Sequence, residues 1–201
     1  MKVAIFASGN GSNFEAIMQA VAAKELEMEV VLLFSDQRES YVLNRAKKYQ
    51  IPTAAFSPKE FDSRQAYEQA VLDVLQENQV DWIVLAGYMR IIGKKLLKAY
   101  PNRIINIHPS LLPAFPGLHG IKDAFEAGVS QTGVTIHFVD AGVDTGPIIA
   151  QGKVSVHSDD TLESLEERIH KKEHELYPKV LQQIIGKGNL DFKIKENRNL
   201  S

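Results

Sequence analysis

A chain of 201 residues that is 44% hydrophobic and 24% charged can build one well-cored globular domain, and its length does not call for two. Lysine and arginine number 23 against 25 aspartates and glutamates, a net charge of −2 with the cations dispersed, which argues against a nucleic-acid surface and for small-molecule partners. The absence of cysteine excludes disulfides and thiol chemistry, and no apolar run approaches the ~20 residues of a membrane helix.

The first residues, Met1 to Ala7, are too short for the core of a signal peptide, so a cytoplasmic protein with no membrane attachment is the default expectation. Val3-Ala4-Ile5-Phe6-Ala7 is apolar at every position, the habit of a parallel strand buried on both faces. Ser8-Gly9-Asn10-Gly11-Ser12-Asn13 follows, and Phe14, Ile17, Met18 and Val21 then recur at helical spacing. Strand, glycine turn and helix in that order present backbone N–H groups to an anion. Phe14 occupies the third glycine position of a dinucleotide fingerprint and no Gly-Lys-Ser/Thr follows, so the pattern favours one phosphate monoester held by Gly11, Ser12 and Asn13. Ser12 with Glu15 three residues on equally fits a helix capping box, and the two readings are compatible.

Val30 to Phe34 predicts a second buried strand, residues 41–49 a helix, and residues 53–56 a short third strand. The next helix is signed by Asp62 as cap, Gln65 at the third position and a Phe61–Ala66 staple, with a core stripe of Tyr67, Ala70, Val71, Val74 and Leu75. Arg64 falls in its first turn, where the macrodipole disfavours a cation; it either faces an anionic ligand or is simply exposed. Trp82 to Ala86 is the fourth strand. It runs into Gly87-Tyr88-Met89-Arg90-Ile91-Ile92, which offers either apolar walls and one charge for a flat heteroaromatic ring, or plain core. A helix near residues 93–99 leads to the apolar run at 103–105 and then to Asn106-Ile107-His108-Pro109-Ser110-Leu111-Leu112-Pro113.

Asn106 and His108, two apart on a strand, share a face at its carboxyl end, where ligands of open α/β sheets bind. An amide donor beside a chargeable imidazole suits a carbonyl oxygen that becomes negative. Residues 121–127 should be helical. Thr132 to Val139 and Pro147 to Gln151 then suggest an antiparallel pair joined by the loop Asp140-Ala141-Gly142-Val143-Asp144-Thr145-Gly146, long and acidic enough to be functional. Asp144 is either an ordinary turn aspartate or the carboxylate that holds His108 charged. In the last large helix, expected to be capped by Asp160 with Glu163, the stripe Leu162, Leu165, Ile169, Leu176, Val180, Ile184 is interrupted at Glu173. A carboxylate aimed inward there needs a partner, either a ligand hydroxyl or amine or a neighbouring lysine. His170 and His174 stand at metal-ligand spacing without a third ligand, and no metal is expected. Pro178 should kink or break this helix. The polar tail from residue 187 has room for one edge strand over 191–195.

The glycine turn, the run Asn-x-His-Pro-Ser-Leu-Leu-Pro-x-x-Pro-Gly over 106–117 and the distant Asp144-x-Gly-Pro together resemble the formyltransferase superfamily. Ser8-Gly-Asn-Gly-Ser-Asn13 narrows the likeness to the branch that acts on glycinamide ribonucleotide. The resemblance covers nearly the whole chain up to the helix of Glu173. It implies transfer of a formyl group from 10-formyltetrahydrofolate, a consumed co-substrate, to the ribonucleotide's primary amine in purine biosynthesis, with no metal. It further implies Asn106, His108 and Asp144 as the catalytic trio, Asp144 serving as partner and proton relay. Gly11, Ser12, Asn13, Pro109, His170 and Glu173 would hold the ribonucleotide. Arg64, Leu85, Met89, Arg90, Ile91, Ile92, Asn106, Val139, Asp140, Ala141, Gly142, Val143 and Asp144 would form the folate site. A cis bond before Pro113 is part of the same likeness.

The fold class expected is therefore α/β, one Rossmann-like domain over residues 1–186 with a mostly parallel twisted sheet flanked by helices and late antiparallel strands. A monomer or weak homodimer is expected. A methionyl-tRNA formyltransferase would carry an extra domain and a basic surface. A formylfolate hydrolase would not need the phosphate loop, and a bare sugar-phosphate binder would leave Asn106, His108 and Asp144 without a task.

Overall fold

In a computed structural model that describes residues 1–186, the apolar opening of the chain becomes β1 (Lys2–Phe6), a central strand whose side chains alternate between two cores. Val3, Ile5 and Ala7 enter one core and Ala4 and Phe6 the other, all of them fully buried, so both faces of the sheet must be covered. α1 (Ser12–Ala22), β2 (Glu29–Ser35), α2 (Val42–Lys48), β3 (Thr53–Ala55), α3 (Arg64–Glu77), β4 (Trp82–Leu85), α4 (Lys94–Ala99) and β5 (Ile104–His108) follow in strict alternation. α5 (Gly120–Glu126), β6 (Gln131–Phe138), β7 (Ile148–Ser155) and α6 (Leu162–Leu181) complete the described residues. The strand expected over 191–195 lies outside them.

The seven strands lie in the order β3-β2-β1-β4-β5-β6-β7. The first four neighbouring pairs are parallel, while β5–β6 and β6–β7 are antiparallel, as the change of rhythm after residue 130 predicted. Strand order reverses between β1 and β4, and a crevice opens outside the carboxyl ends of strands at such a point. α1, α2, α5 and α6 contribute to the core on one face, α3 and α4 to that on the other. Tyr177 of α6 is fully buried, and its hydroxyl donates to the carbonyls of Leu85 (2.9 Å) and Ile105 (3.2 Å), which ties this helix to β4 and β5.

Helix starts depart from the spacing-based expectation. α1 has no side-chain cap: Gly11 is its N-cap in the left-handed conformation, φ 78°, Ser12 is its first residue, and Glu15 turns to Arg45, Lys48 and Tyr49 instead of closing a box. α3 is capped by Ser63, not Asp62, with Ser63 Oγ accepting from the Ala66 N–H. Thr161, not Asp160, caps α6, with Ser164 completing the box, because Asp160 is claimed by Arg168. In α1 the competing cations come from α2, and in α6 the competitor is Arg168 of the helix's own second turn; in both the carboxylate goes to the cation rather than to the helix end.

Pro178 does not break α6, which continues to Leu181 before a π-turn at Gln182–Gly186. The stripe of α6 also sits slightly rotated, with Tyr177 and Leu181 fully buried where Leu176 and Leu162 are only partly so. In α3, Glu68 rather than Ala70 or Val74 is buried, held by Arg64. The Leu112–Pro113 bond is cis.

Candidate active site

A cleft of about 710 Å³ lies over the carboxyl ends of β1, β4 and β5 and is walled by the glycine turn, residues 85–92, residues 106–109, the 139–144 loop and α6. Its glycine turn owes its shape to Gly11. A Cβ at that position would stand 2.3 Å from Val42 Cγ2, and the left-handed backbone is itself strained for any L side chain. With no side chain capping α1, the N–H groups of its first turn are left for a ligand. Arg45 braces the turn from behind, donating to the Asn10 carbonyl (2.8 Å) and to Asn10 Oδ1 (2.9 Å).

Glu173, the misfit in the apolar stripe, is 4% exposed and faces the same turn. Its Oε2 accepts from Asn13 Nδ2 at 3.2 Å and lies 2.9 Å from His170 Nδ1. The anticipated partner therefore exists within the protein, an amide and an imidazole instead of a lysine. That carboxylate raises the pKa of His170 above its ordinary value against the opposing effect of burial. Asn13 Oδ1 is buried without a hydrogen-bond partner among the described residues, an acceptor suited to a ligand hydroxyl or amine. Gly11, Ser12, Asn13, Pro109, His170 and Glu173 all line the cleft.

Asn106 and His108 project from β5 beside the neighbouring antiparallel strand, where Asn106 pairs with His137. Asp144, with φ 53°, swings back from its loop to meet them. Its Oδ2 is 3.3 Å from His108 Nδ1 and accepts from the Gly117 N–H at 2.8 Å; its Oδ1 is 3.5 Å from His137 Nε2. Burial would raise the Asp144 pKa, but His137, the Gly117 N–H and His108 together pull it below the ordinary aspartate value, so the group stays ionised. His108 Nε2 lies 2.8 Å from the Phe115 carbonyl. The His108 ring is thus set between a backbone carbonyl on Nε2 and the Asp144 carboxylate on the Nδ1 side. The approach of α5 depends on Gly120, where a Cβ would lie 3.0 Å from His108 Nε2.

Leu85 and Ile92 are buried in the wall, whereas Met89 and Ile91 are each 60% exposed and Val143 is 48% exposed. Arg90, Val139, Asp140 and Gly142 also line the cleft. Arg64 and Ala141 do not: Arg64 Nε is 2.9 Å from Glu68 Oε1, its Nη2 3.4 Å from the Ile91 carbonyl, and Ala141 sits exposed in its loop.

His137 escaped the sequence reading. It lies 3.2 Å from Asn106 Nδ2, and its Nδ1 donates to the Phe138 carbonyl at 2.8 Å. The available signal was a polar pair, Thr135 and His137, at alternate positions of an apolar strand. Both are buried.

The family model for formyl transferases matches residues 1–181. The phosphoribosylglycinamide formyltransferase of Bacillus subtilis (strain 168) is 50% identical over 188 residues, which span 94% of this chain and 96% of that protein. The trifunctional purine biosynthetic protein adenosine-3 of Drosophila melanogaster is 42% identical over 187 residues, 92% of this chain but only 14% of that longer protein. Among solved structures, phosphoribosylglycinamide formyltransferase from Bacillus halodurans superimposes with a TM-score of 0.92 at 54% identity, covering 96% of this chain and 100% of that one.

Proposed function

The chain belongs to the formyl transferase family, and we propose that it moves the formyl group of 10-formyltetrahydrofolate to the primary amine of glycinamide ribonucleotide, a step of purine biosynthesis in the cytoplasm. One observation carries this reading: a single cleft joins a phosphate-type turn backed by Glu173 to the Asn106–His108–Asp144 cluster. The turn takes the ribonucleotide's phosphate on the backbone of Gly11, Ser12 and Asn13. Glu173 and Asn13 Oδ1 face its ribose hydroxyls, with His170 and Pro109 beside them. The pterin-bearing donor lies along Leu85, Met89, Ile91, Ile92, Val139 and Val143, with Arg90, Asp140 and Gly142 beside it and Ala141 in the same loop but off the cleft. Arg64, although spent on Glu68, remains near enough to Ile91 to meet the donor's anionic tail.

In this arrangement the amine attacks the formyl carbon and a C–N bond forms, leaving a tetrahedral oxyanion. Asn106 Nδ2–H and the His108 imidazolium stabilise it. The bond from His108 Nε2 to the Phe115 carbonyl is the one that must yield for this, since Nδ1 keeps its charge partner Asp144. The nitrogen that attacked loses a proton, the folate nitrogen that departs gains one, and Asp144 with His108 relays it as the old C–N bond breaks. No metal enters the scheme.

The test is the absorbance of a 10-formylfolate donor mixed with the protein, with and without glycinamide ribonucleotide. Consumption only in the presence of the ribonucleotide supports the reading. Consumption without it means a hydrolase, and none in either case leaves a binding protein.

A further inference from the structure

Asp36, the residue immediately after β2, is 1% exposed and takes no part in the chemistry above. A carboxylate so deeply placed requires partners, and its partners converge on one short segment. Oδ2 accepts from Arg90 Nε at 2.6 Å. Oδ1 accepts from the Ser8 hydroxyl at 2.6 Å, and Ser8 Oγ in turn accepts from the Met89 N–H at 2.9 Å. Ser8 N–H donates to the Gly87 carbonyl at 3.0 Å, so the end of β1 is fastened to the same stretch. A further bond to Asp36, from Gln37 Nε2 at 3.3 Å, stays within its own turn.

We infer that Asp36 is a positioning residue for the formyl donor. Acting through Arg90 directly and through Ser8 on Met89, it holds the wall of the cleft that carries both residues. The inference rests on the function proposed above. Three features separate it from a generic core contact. The carboxylate sits at the ligand-facing end of the sheet, beside the strand reversal, not in the middle of either hydrophobic core. Of its bonds, those leaving its own turn end on Arg90 and on Ser8, both in the cleft wall. Arg90 spends Nε on Asp36 while its side chain remains 38% exposed and lines the cleft, so the fork is anchored at one edge and still accessible. An unanchored arginine would have to lose its rotamer freedom on binding, whereas this one has already lost it.

The experiment compares the wild type, Asp36→Asn, Arg90→Met and the double variant, measuring kcat and both KM values under saturation of the other substrate, with calorimetric binding of a non-reacting folate analogue as a second readout. Asp36→Asn should raise the donor KM about tenfold or more and weaken the analogue comparably, with kcat within about threefold and the ribonucleotide KM unchanged. In the Arg90→Met background, adding Asp36→Asn should cost much less than it does alone, because most of its effect passes through Arg90. A folded Asp36→Asn with normal donor KM overturns the inference. So does a rise in both KM values together, or full multiplication of the two losses in the double variant. Should Asp36→Asn fail to fold, Ser8→Ala severs the Met89 branch and must show a smaller rise confined to the donor KM, an unchanged donor KM overturning the claim. A wild type that transfers no formyl group at all refutes the proposed function itself, which these comparisons keep distinct from failure of the Asp36 assignment.

Discussion

Asp144 gathers more of the site's electrostatics than its place in a loop suggests, because His108, His137 and the Gly117 N–H all converge on it. His108→Ala and Asp144→Ala should each lower kcat on the order of 10²–10³-fold while leaving both KM values within severalfold, as steady-state kinetics would reveal. Near-normal turnover in either purified variant would remove the oxyanion role. Gly11→Ala should act on binding instead. It combines a left-handed backbone with a collision against Val42, so the ribonucleotide KM should rise by about tenfold or more, read by titrating that substrate at saturating donor. The types and spacing of Asn106, His108 and Glu173 were legible in the sequence because each is chemically out of place in its apolar surroundings. For His108, spacing left Asp144 open between a turn residue and its partner, and only the resemblance favoured the pairing; the Asn13 partner of Glu173 was not read at all, since that contact closes a loop of 160 residues that no local pattern encodes.

Secondary elements were read well in their interiors and less well at their ends, where charge competition decides. Glu15 illustrates the reason. Burial would raise its pKa, but hydrogen bonds from Tyr49, Lys48 and Arg45 bring it down to about 2 from 4.5. A carboxylate depressed in this way stabilises the fold fully above its unfolded value and loses that contribution as pH falls from 4.5 toward 2. Glu15→Gln should therefore be less stable than the wild type at neutral pH, with the two denaturation midpoints drawing together as pH falls through that window. Tyr177 makes a different link between α6 and the sheet. Tyr177→Phe leaves two buried carbonyls without this donor and should cost about 1–3 kcal/mol in chemical denaturation, with a retained fold. Pro178 shows the limit of residue rules at this scale, since the helix passes through it with Val180 and Leu181 packed on the core beyond.

At the scale of the whole molecule, buried apolar strands alternating with helices, followed by a change of rhythm after residue 130, predicted a mostly parallel sheet with an antiparallel extension, and the topology has that form. The strand order was not readable from periodicity, but it places the reversal between β1 and β4, beneath the cleft that receives both the phosphate turn and the 85–92 wall. One crevice that joins the glycine turn to the Asn106–His108–Asp144 cluster suits a two-substrate transfer, because the amine must reach the formyl carbon with water excluded from its place. The most direct measurement follows a labelled formyl carbon from the folate donor, with mass spectrometry of the ribonucleotide after incubation with the purified protein. The label is predicted on the ribonucleotide's amine nitrogen, one formyl group for each donor consumed. Label recovered as free formate, at the same rate whether or not the ribonucleotide is present, would contradict the account.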